Sequence, residues 1–214
     1  MKKKLIILFS AFVIVFFGWI IIRYQYPTIL PWIFQRNITS QEPECKDLKQ
    51  CSQDILTLLS HQQFEELGKR IDQEGLQFLP YPFITPTDQI QNFTKEDLKN
   101  FGANVTEEPK IWGTWDGSWE PITLTTKEYF EQFIGDVDYK NAPEVFVNEE
   151  VKTRWNTTVN LQEVFSWAQI IEYHFTGFNE EYQGLDRKSF YLVFVRWKTQ
   201  NLKLKALAHG AWTI

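Results

Sequence analysis

A chain of 214 residues with 43 % hydrophobic and 16 % aromatic residues is too apolar to stay disordered and long enough to bury one substantial core. Its formal net charge is −5, and no Lys/Arg block follows Lys2, Lys3 and Lys4. The basic footprint of a nucleic-acid binder is therefore missing, and nucleic acid is not expected as a partner.

The N-terminus runs charge, apolar stretch, charge. Between the three lysines and Arg23, residues 5–22 contain only Ser10 and Gly18 as non-hydrophobic positions. At 1.5 Å per residue the stretch spans roughly 27 Å, close to the ~30 Å hydrocarbon core, and the lysines favour a cytoplasmic N-terminus. A cleaved signal peptide would have an apolar region of about 7–15 residues and a small-x-small site, which Trp19-Ile20-Ile21-Ile22 does not offer. The expected organisation is a cytoplasmic tip and single-pass anchor over 1–23, held in the lipid bilayer of the cell (inner) membrane through residues 5–22. A juxtamembrane tether over 24–44 and one extracytoplasmic domain over 45–214 follow. In that setting Cys45 and Cys51 are expected to form a disulfide worth roughly 2.4 kcal/mol, closing a short loop ahead of the first helix. Only His61 stands near them, so no metal site is expected.

Ser52 is a fitting N-cap for a first helix with Ile55, Leu58 and Leu59 on one face. Ser60 and Gln63 suggest a capping box for a second, carrying Phe64, Leu67 and Ile71 and ended by Gly75. Residues 75–79 read as a strand, with an extended loop enforced by Pro80, Pro82 and Pro86. A short helix starts at Thr94, with Phe93 and Leu98 as its hydrophobic staple. The turn signal Asp116-Gly117-Ser118 joins residues 111–115 and 122–124 into a hairpin. The next helix has the fullest set of signals: Thr125 as N-cap, Glu128 completing the box, Leu124 and Tyr129 as staple, and Gly135 as terminator. After residues 145–147, three β-like runs over 163–175, 187–198 and 202–214 read as an antiparallel meander. This order predicts an α+β domain with helices packed on a curved antiparallel sheet.

The histidines offer the first candidate chemistry. A tight turn at 199–201 pairs Tyr191 with His209 and sets His174 on the other side, the two imidazoles ~10 Å apart across the central strand. Glu172 shares the face of His174 and could orient a general base. A one-residue slip in register would instead put the histidines on opposite faces, leaving ordinary strand residues. Asp136 and Asp138 follow the central helix, where carboxylates are unfavourable unless compensated, so they could be paired carboxylates or a cation site; their plain reading is a loop residue and a cap. Trp112, Trp115 and Asp116, with Trp119, could offer aromatic faces to a ligand such as a sugar. Strand alternation turns Trp112 and Trp115 to opposite faces, so hairpin packing is the plainer role. No nucleophile elbow, phosphate loop, dinucleotide fingerprint or zinc spacing occurs, and no cofactor is expected.

Two resemblances follow from these features. The segments Trp112-Gly113-Thr114-Trp115-Asp116-Gly117-Ser118, Pro121-Ile122, Asp136-Val137-Asp138-Tyr139 and Trp212-Thr213-Ile214 resemble an uncharacterised family of exported bacterial proteins. The chain departs from that pattern at Trp119, where Gly is usual, and at Gly210-Ala211. The element order over 52–214 is similar to the NTF2-like (SnoaL-like, cystatin-like) cone, a scaffold shared by enzymes, ligand carriers and oligomerisation modules. The leading expectation is a membrane-anchored extracytoplasmic domain that binds a small ligand or protein partner without catalysis. The alternatives are a cone-type hydrolase, isomerase or dehydratase using His174, Glu172, His209, Tyr191 and Asp138, and an assembly module forming a homodimer.

Overall fold

A computed structural model describes residues 44–102, 107–151, 157–196 and 201–211. The expected anchor, the tether up to residue 43, most of the turn at 199–201 and the closing Trp212-Thr213-Ile214 lie outside them. Among the described residues no helix is long and apolar enough to cross a membrane.

Helix α1 (Leu48–Ser60) is capped by Asp47, whose carboxylate accepts from the Gln50 N–H at 2.8 Å. The expected cap, Ser52, instead lies buried inside the helix. Its hydroxyl donates to the Lys49 carbonyl and meets the Tyr173 phenol at 2.5 Å, tying α1 to the sheet. Starting the helix earlier also places Cys51 within it, so the Cys45–Cys51 disulfide pins the entering chain to the first turns of α1 rather than closing a loop before it. Helix α2 (Phe64–Leu67) is a single turn. The Ser60 hydroxyl turns back to the Thr57 carbonyl, so the expected capping box does not form. Ile71 leaves the helix to bridge Leu204, and the Asp72 N–H donates to the Leu204 carbonyl at 2.8 Å.

Strands β1 (Leu76–Leu79) and β2 (Gln91–Phe93) flank the proline loop. Helix α3 (Lys95–Leu98) follows, with Thr94 and Asp97 forming a reciprocal capping box. The hairpin is β3 (Lys110–Thr114) and β4 (Pro121–Leu124), and helix α4 (Thr126–Phe133) carries the expected Thr125 and Glu128 box. Glu107 adds to that helix start: its carboxylate accepts from the Thr126 N–H at 3.0 Å and from the Thr126 hydroxyl, and pairs with Lys110. A negative charge at a helix N-terminus is favourable. Gly135 closes α4 by donating to the Phe130 carbonyl, and a Cβ there would lie 2.8 Å from the Phe130 ring.

Strands β5 (Glu144–Val147), β6 (Gln169–Phe175), β7 (Lys188–Arg196) and β8 (Leu202–Ala211) complete the domain. The start of the run expected as strand from residue 163 is instead the end of a one-turn helix, α5 (Leu161–Val164). The six-stranded sheet has the order β2-β1-β8-β7-β6-β5. The meander is antiparallel as expected, but β1 lies parallel to β8, so the sheet is mixed. The chain is α+β, with its main core between the helices, the hairpin and one sheet face, including Ile171, Tyr173, Phe190, Leu192 and Leu207. The other face carries a smaller apolar layer of Leu161, Ala168, Ile170, Tyr191, Val193, Ala206 and Ala208.

Phe78 on β1 is the hub of the main core. Its ring is stacked on Phe101 at 4.8 Å and meets Phe93, Trp112 and Tyr129 edge-on at 5.3, 6.0 and 5.9 Å. Truncating a fully buried ring leaves a cavity as well as losing transfer free energy. Phe78→Ala is expected to cost about 3–5 kcal/mol, read as a lower urea midpoint with unchanged slope. A loss under 1 kcal/mol would show that the aromatic cluster is loosely packed.

Candidate functional site

The geometry of the two histidines follows from one irregularity. Val193 pairs with Ala206 but Phe194 pairs with Leu204, so Lys205 is an extra residue on β8. This bulge shifts the register beyond it. Tyr191 lies opposite Ala208, and His209 lies opposite Phe190. The expectation that Tyr191 stands between two facing imidazoles is therefore wrong: His209 projects into the main core, while His174, Glu172 and Tyr191 share the other face.

On that second face, His174 pairs with Ser189 and Glu172 with Tyr191 across β6 and β7. Ser189 Oγ donates to Glu172 Oε1 at 2.9 Å, and Tyr191 Oη donates to the same oxygen at 3.1 Å. His174 Nδ1 lies 2.7 Å from Ser189 Oγ. Since that hydroxyl already donates to Glu172, it accepts from the ring N–H. An activated serine needs the reverse arrangement, in which the histidine takes the hydroxyl proton. Glu172, His174 and Ser189 expose only 1 %, 3 % and 5 % of their surface. Gly210 faces this group without a side chain, and a Cβ there would stand 3.1 Å from the Tyr191 ring. Sequence reasoning missed Ser189 and the buried Arg187, which donates to the Gly184 carbonyl at 3.1 Å and Thr157 Oγ1 at 3.2 Å. Alternation from Tyr191 would have placed both on its face.

On the first face, Asp136 Oδ2 accepts from Lys188 Nζ at 2.6 Å and lies 3.2 Å from His209 Nε2. The His209 ring meets Phe133 and Tyr139 edge-on at 5.4 and 6.5 Å. Burial pushes the Asp136 carboxyl upward, but His209 and Lys188 outweigh it and hold it below the usual carboxylate range. Burial drives the Tyr139 phenol well above its usual range, and the Asp136 charge adds to this. The phenol oxygen nonetheless has no well-formed hydrogen bond among the described residues. Asp138 is not part of either group. It caps the 3-10 turn Tyr139–Asn141, accepting from the Lys140 N–H at 3.2 Å and the Asn141 amide at 2.7 Å.

The expected aromatic residues do converge on one feature. A cleft of about 370 Å³ lies between loop 80–90 and the β3–β4 turn, at the C-terminal ends of the parallel strands β1 and β8. Trp112, Trp115 and Asp116 all line it, with Tyr81, Phe83 and Trp119. Trp112 forms its floor and is held in the core, stacked on Tyr129 at 3.8 Å and donating to the Leu124 carbonyl at 2.8 Å. Trp115 packs against Phe133 on that same side. The opposite orientations expected from strict alternation are lost because the hairpin register shifts between Ile111 and Thr114, around Gly113 with φ +132°. That glycine also lets Pro80 approach, since a Cβ would sit 3.3 Å from the proline ring. The loop wall is fixed by Asn160, whose amide both donates to the Ile84 carbonyl and accepts from its N–H at 2.8 Å. Thr85 N–H donates to Asp88 at 2.6 Å, and Asp116 N–H reaches the Tyr81 phenol at 3.3 Å. The prolines of this loop were legible in the sequence; its role as a cleft wall was not.

Among the described residues no group of three or more His, Cys, Asp or Glu side chains is placed to hold a metal ion. Comparison with protein-family models, curated proteins and solved structures finds no match to this chain.

The lowered Asp136 value has a definite sign for stability. A carboxyl whose folded pKa lies below its unfolded one contributes fully above the ordinary carboxylate range and loses that contribution as pH falls through the folded value. Asp136→Asn is expected to cost about 1.5–3 kcal/mol at pH 7, where it leaves the part-exposed Lys188 without its partner. The deficit relative to the parent should shrink at pH 3 in paired urea titrations. An equal deficit at both pH values would show that the charge on Asp136 contributes nothing.

Proposed function

We propose that this chain is a membrane-anchored, extracytoplasmic binding domain that holds a small ligand or a partner segment in the cleft without catalysis. The observation that carries this reading is a concave site lined with aromatic rings, two of which remain well exposed: Trp119 at 80 % and Phe83 at 46 %. Its volume falls within the range typical of small-molecule sites. The groups with catalytic potential are sealed instead. Glu172, His174 and Ser189 are buried and hydrogen-bonded to one another, an arrangement that suits a structural network.

The topological placement rests on residues 2–23 and their charge pattern. The Cys45–Cys51 disulfide is consistent with an oxidising compartment. Within the α+β class, the NTF2-like cone is the nearest scaffold in our reading. Helix α1 reaches β6 through Ser52 and Tyr173, and α4 reaches β8 through Phe133 and His209. Our reading that residues 112–122 and 136–139 resemble exported bacterial proteins supports the same placement.

A fragment screen on the full chain in detergent, read by NMR of the tryptophan indole N–H signals, checks the assignment. Binding fragments are expected to shift Trp115 and Trp119, and Trp115→Ala should weaken them at least tenfold. Fragments that gather elsewhere, or substrate turnover abolished by His174→Ala, would contradict it.

A further inference from the structure

Resting on the cleft reading above, we infer that the ligand is a small organic cation, a protonated amine or quaternary ammonium. Two features of the lining carry this. The first is charge. Among the described lining residues the ionisable carboxylates are Asp88 and Asp116, and no Lys, Arg or His joins them. Neither carboxylate forms an ion pair among the described residues; for the exposed Asp116 that is ordinary, but the half-buried Asp88 differs from Asp72, Glu107 and Asp136, which pair with Lys205, Lys110 and Lys188. Arg187 reaches the rim of the cleft at Thr157 Oγ1, but among the described residues the lining itself carries charge only on Asp88 and Asp116, and a concave site lined by negative charge attracts cations and repels phosphates and carboxylates.

The second feature is the aromatic wall. Tyr81, Phe83, Trp115 and Trp119 present ring systems around the same space. The negative face of an aromatic ring attracts an ammonium, most strongly for Trp, and desolvation in a cleft strengthens the attraction. A neutral saccharide could stack on such rings and donate hydroxyl hydrogen bonds to the carboxylates, but it would leave their negative charge unbalanced.

Trp119 adds an independent sign that the site is built for use. Its backbone has φ +62°, a left-handed conformation unfavourable for a bulky residue, and its side chain is largely exposed. The turn itself needs that conformation: the Trp119 N–H donates to the Trp115 carbonyl at 3.0 Å, and the Trp115 N–H donates to the Glu120 carbonyl at 2.8 Å. Glycine would satisfy it without strain. Burial gives little back for this tryptophan, so the strain is explained by a contact the ring makes with a ligand. Trp119→Gly should therefore separate stability from binding, raising Tm by roughly 2–4 °C while weakening the ligand.

The test uses the full chain in detergent, with indole NMR titrations of tetramethylammonium, choline and phenethylammonium. Controls are 3,3-dimethylbutan-1-ol, the neutral isostere of choline, together with glucose and glycerol phosphate. The cations are expected to shift Trp115 and Trp119 saturably, at least tenfold more tightly than the isostere, and more weakly at high salt. Asp116→Asn and Trp119→Gly should each weaken the best cation by about tenfold, with the fold retained. Equal binding of the neutral isostere, binding of glucose or glycerol phosphate alone, or no effect of Asp116→Asn would overturn the cationic assignment and leave the cleft as a binding site for another class. No shift by any cation overturns it as well. If the fragments of the preceding section also bind elsewhere, the cleft reading falls with it.

Discussion

The pairing of β7 with β8, and the single extra residue Lys205 within it, sets the chemistry of both sheet faces. Leu202 and Leu204 point into the main core before the bulge, and Leu207 and His209 do so after it. Without the bulge, Ala206 and Ala208 would take those places, and the core would lose side chains it needs to fill space. Lys205 is itself held by Asp72 at 3.3 Å and Glu74 at 2.7 Å. The small residues Ala206, Ala208 and Gly210 then fall on the second face, where Tyr191 and Glu172 need room.

This register divides the polar residues of the domain into two separate groups. Asp136, Lys188 and His209 close the helix side of the core, and Glu172, His174, Ser189 and Tyr191 lie on the other face. Each group is a way to bury charge or hydrogen-bonding capacity at tolerable cost, since buried polar atoms are expensive without partners. Apart from the part-exposed Lys188, the side chains of both groups are nearly or fully buried. The cleft proposed to bind lies in a third region, where β1 and β8 end side by side and a proline loop faces a tryptophan hairpin. There Trp119 and Phe83 are exposed, and the walls that carry them are held by Gly113 against Pro80 and by Asn160 on Ile84. In the proposed reading the sealed interior serves stability and the open cleft serves recognition.

Much of the fold was legible because local signals agreed with tertiary demands. Thr94, Thr125 and Glu128 cap helices as their spacing predicts, and Asp116-Gly117-Ser118 makes the hairpin turn. Ser52 misled because its hydroxyl serves a partner 121 residues away, which no local pattern reveals. The parallel approach of β1 to β8 was equally hidden, being a pairing between the two ends of the domain. The histidine geometry failed for a subtler reason. Leu202, Leu204 and Leu207 break the two-residue period of β8, and that phase change was the one available signal for the bulge. Trp112, Trp115 and Asp116 were singled out from the tryptophans around the Asp116-Gly117 turn, but Tyr81, Phe83 and Asp88 line the same cleft only through the folded path of loop 80–90.

The β7–β8 register is tested most directly by nuclear Overhauser contacts of the His209 ring. The bulged register requires cross-peaks from His209 to the rings of Phe133 and Tyr139, whose centroids lie 5.4 and 6.5 Å away, and none to Tyr191 or His174. Cross-peaks between His209 and Tyr191 would place both imidazoles on one face, restore a shared histidine pocket, and contradict the separation of the two buried groups.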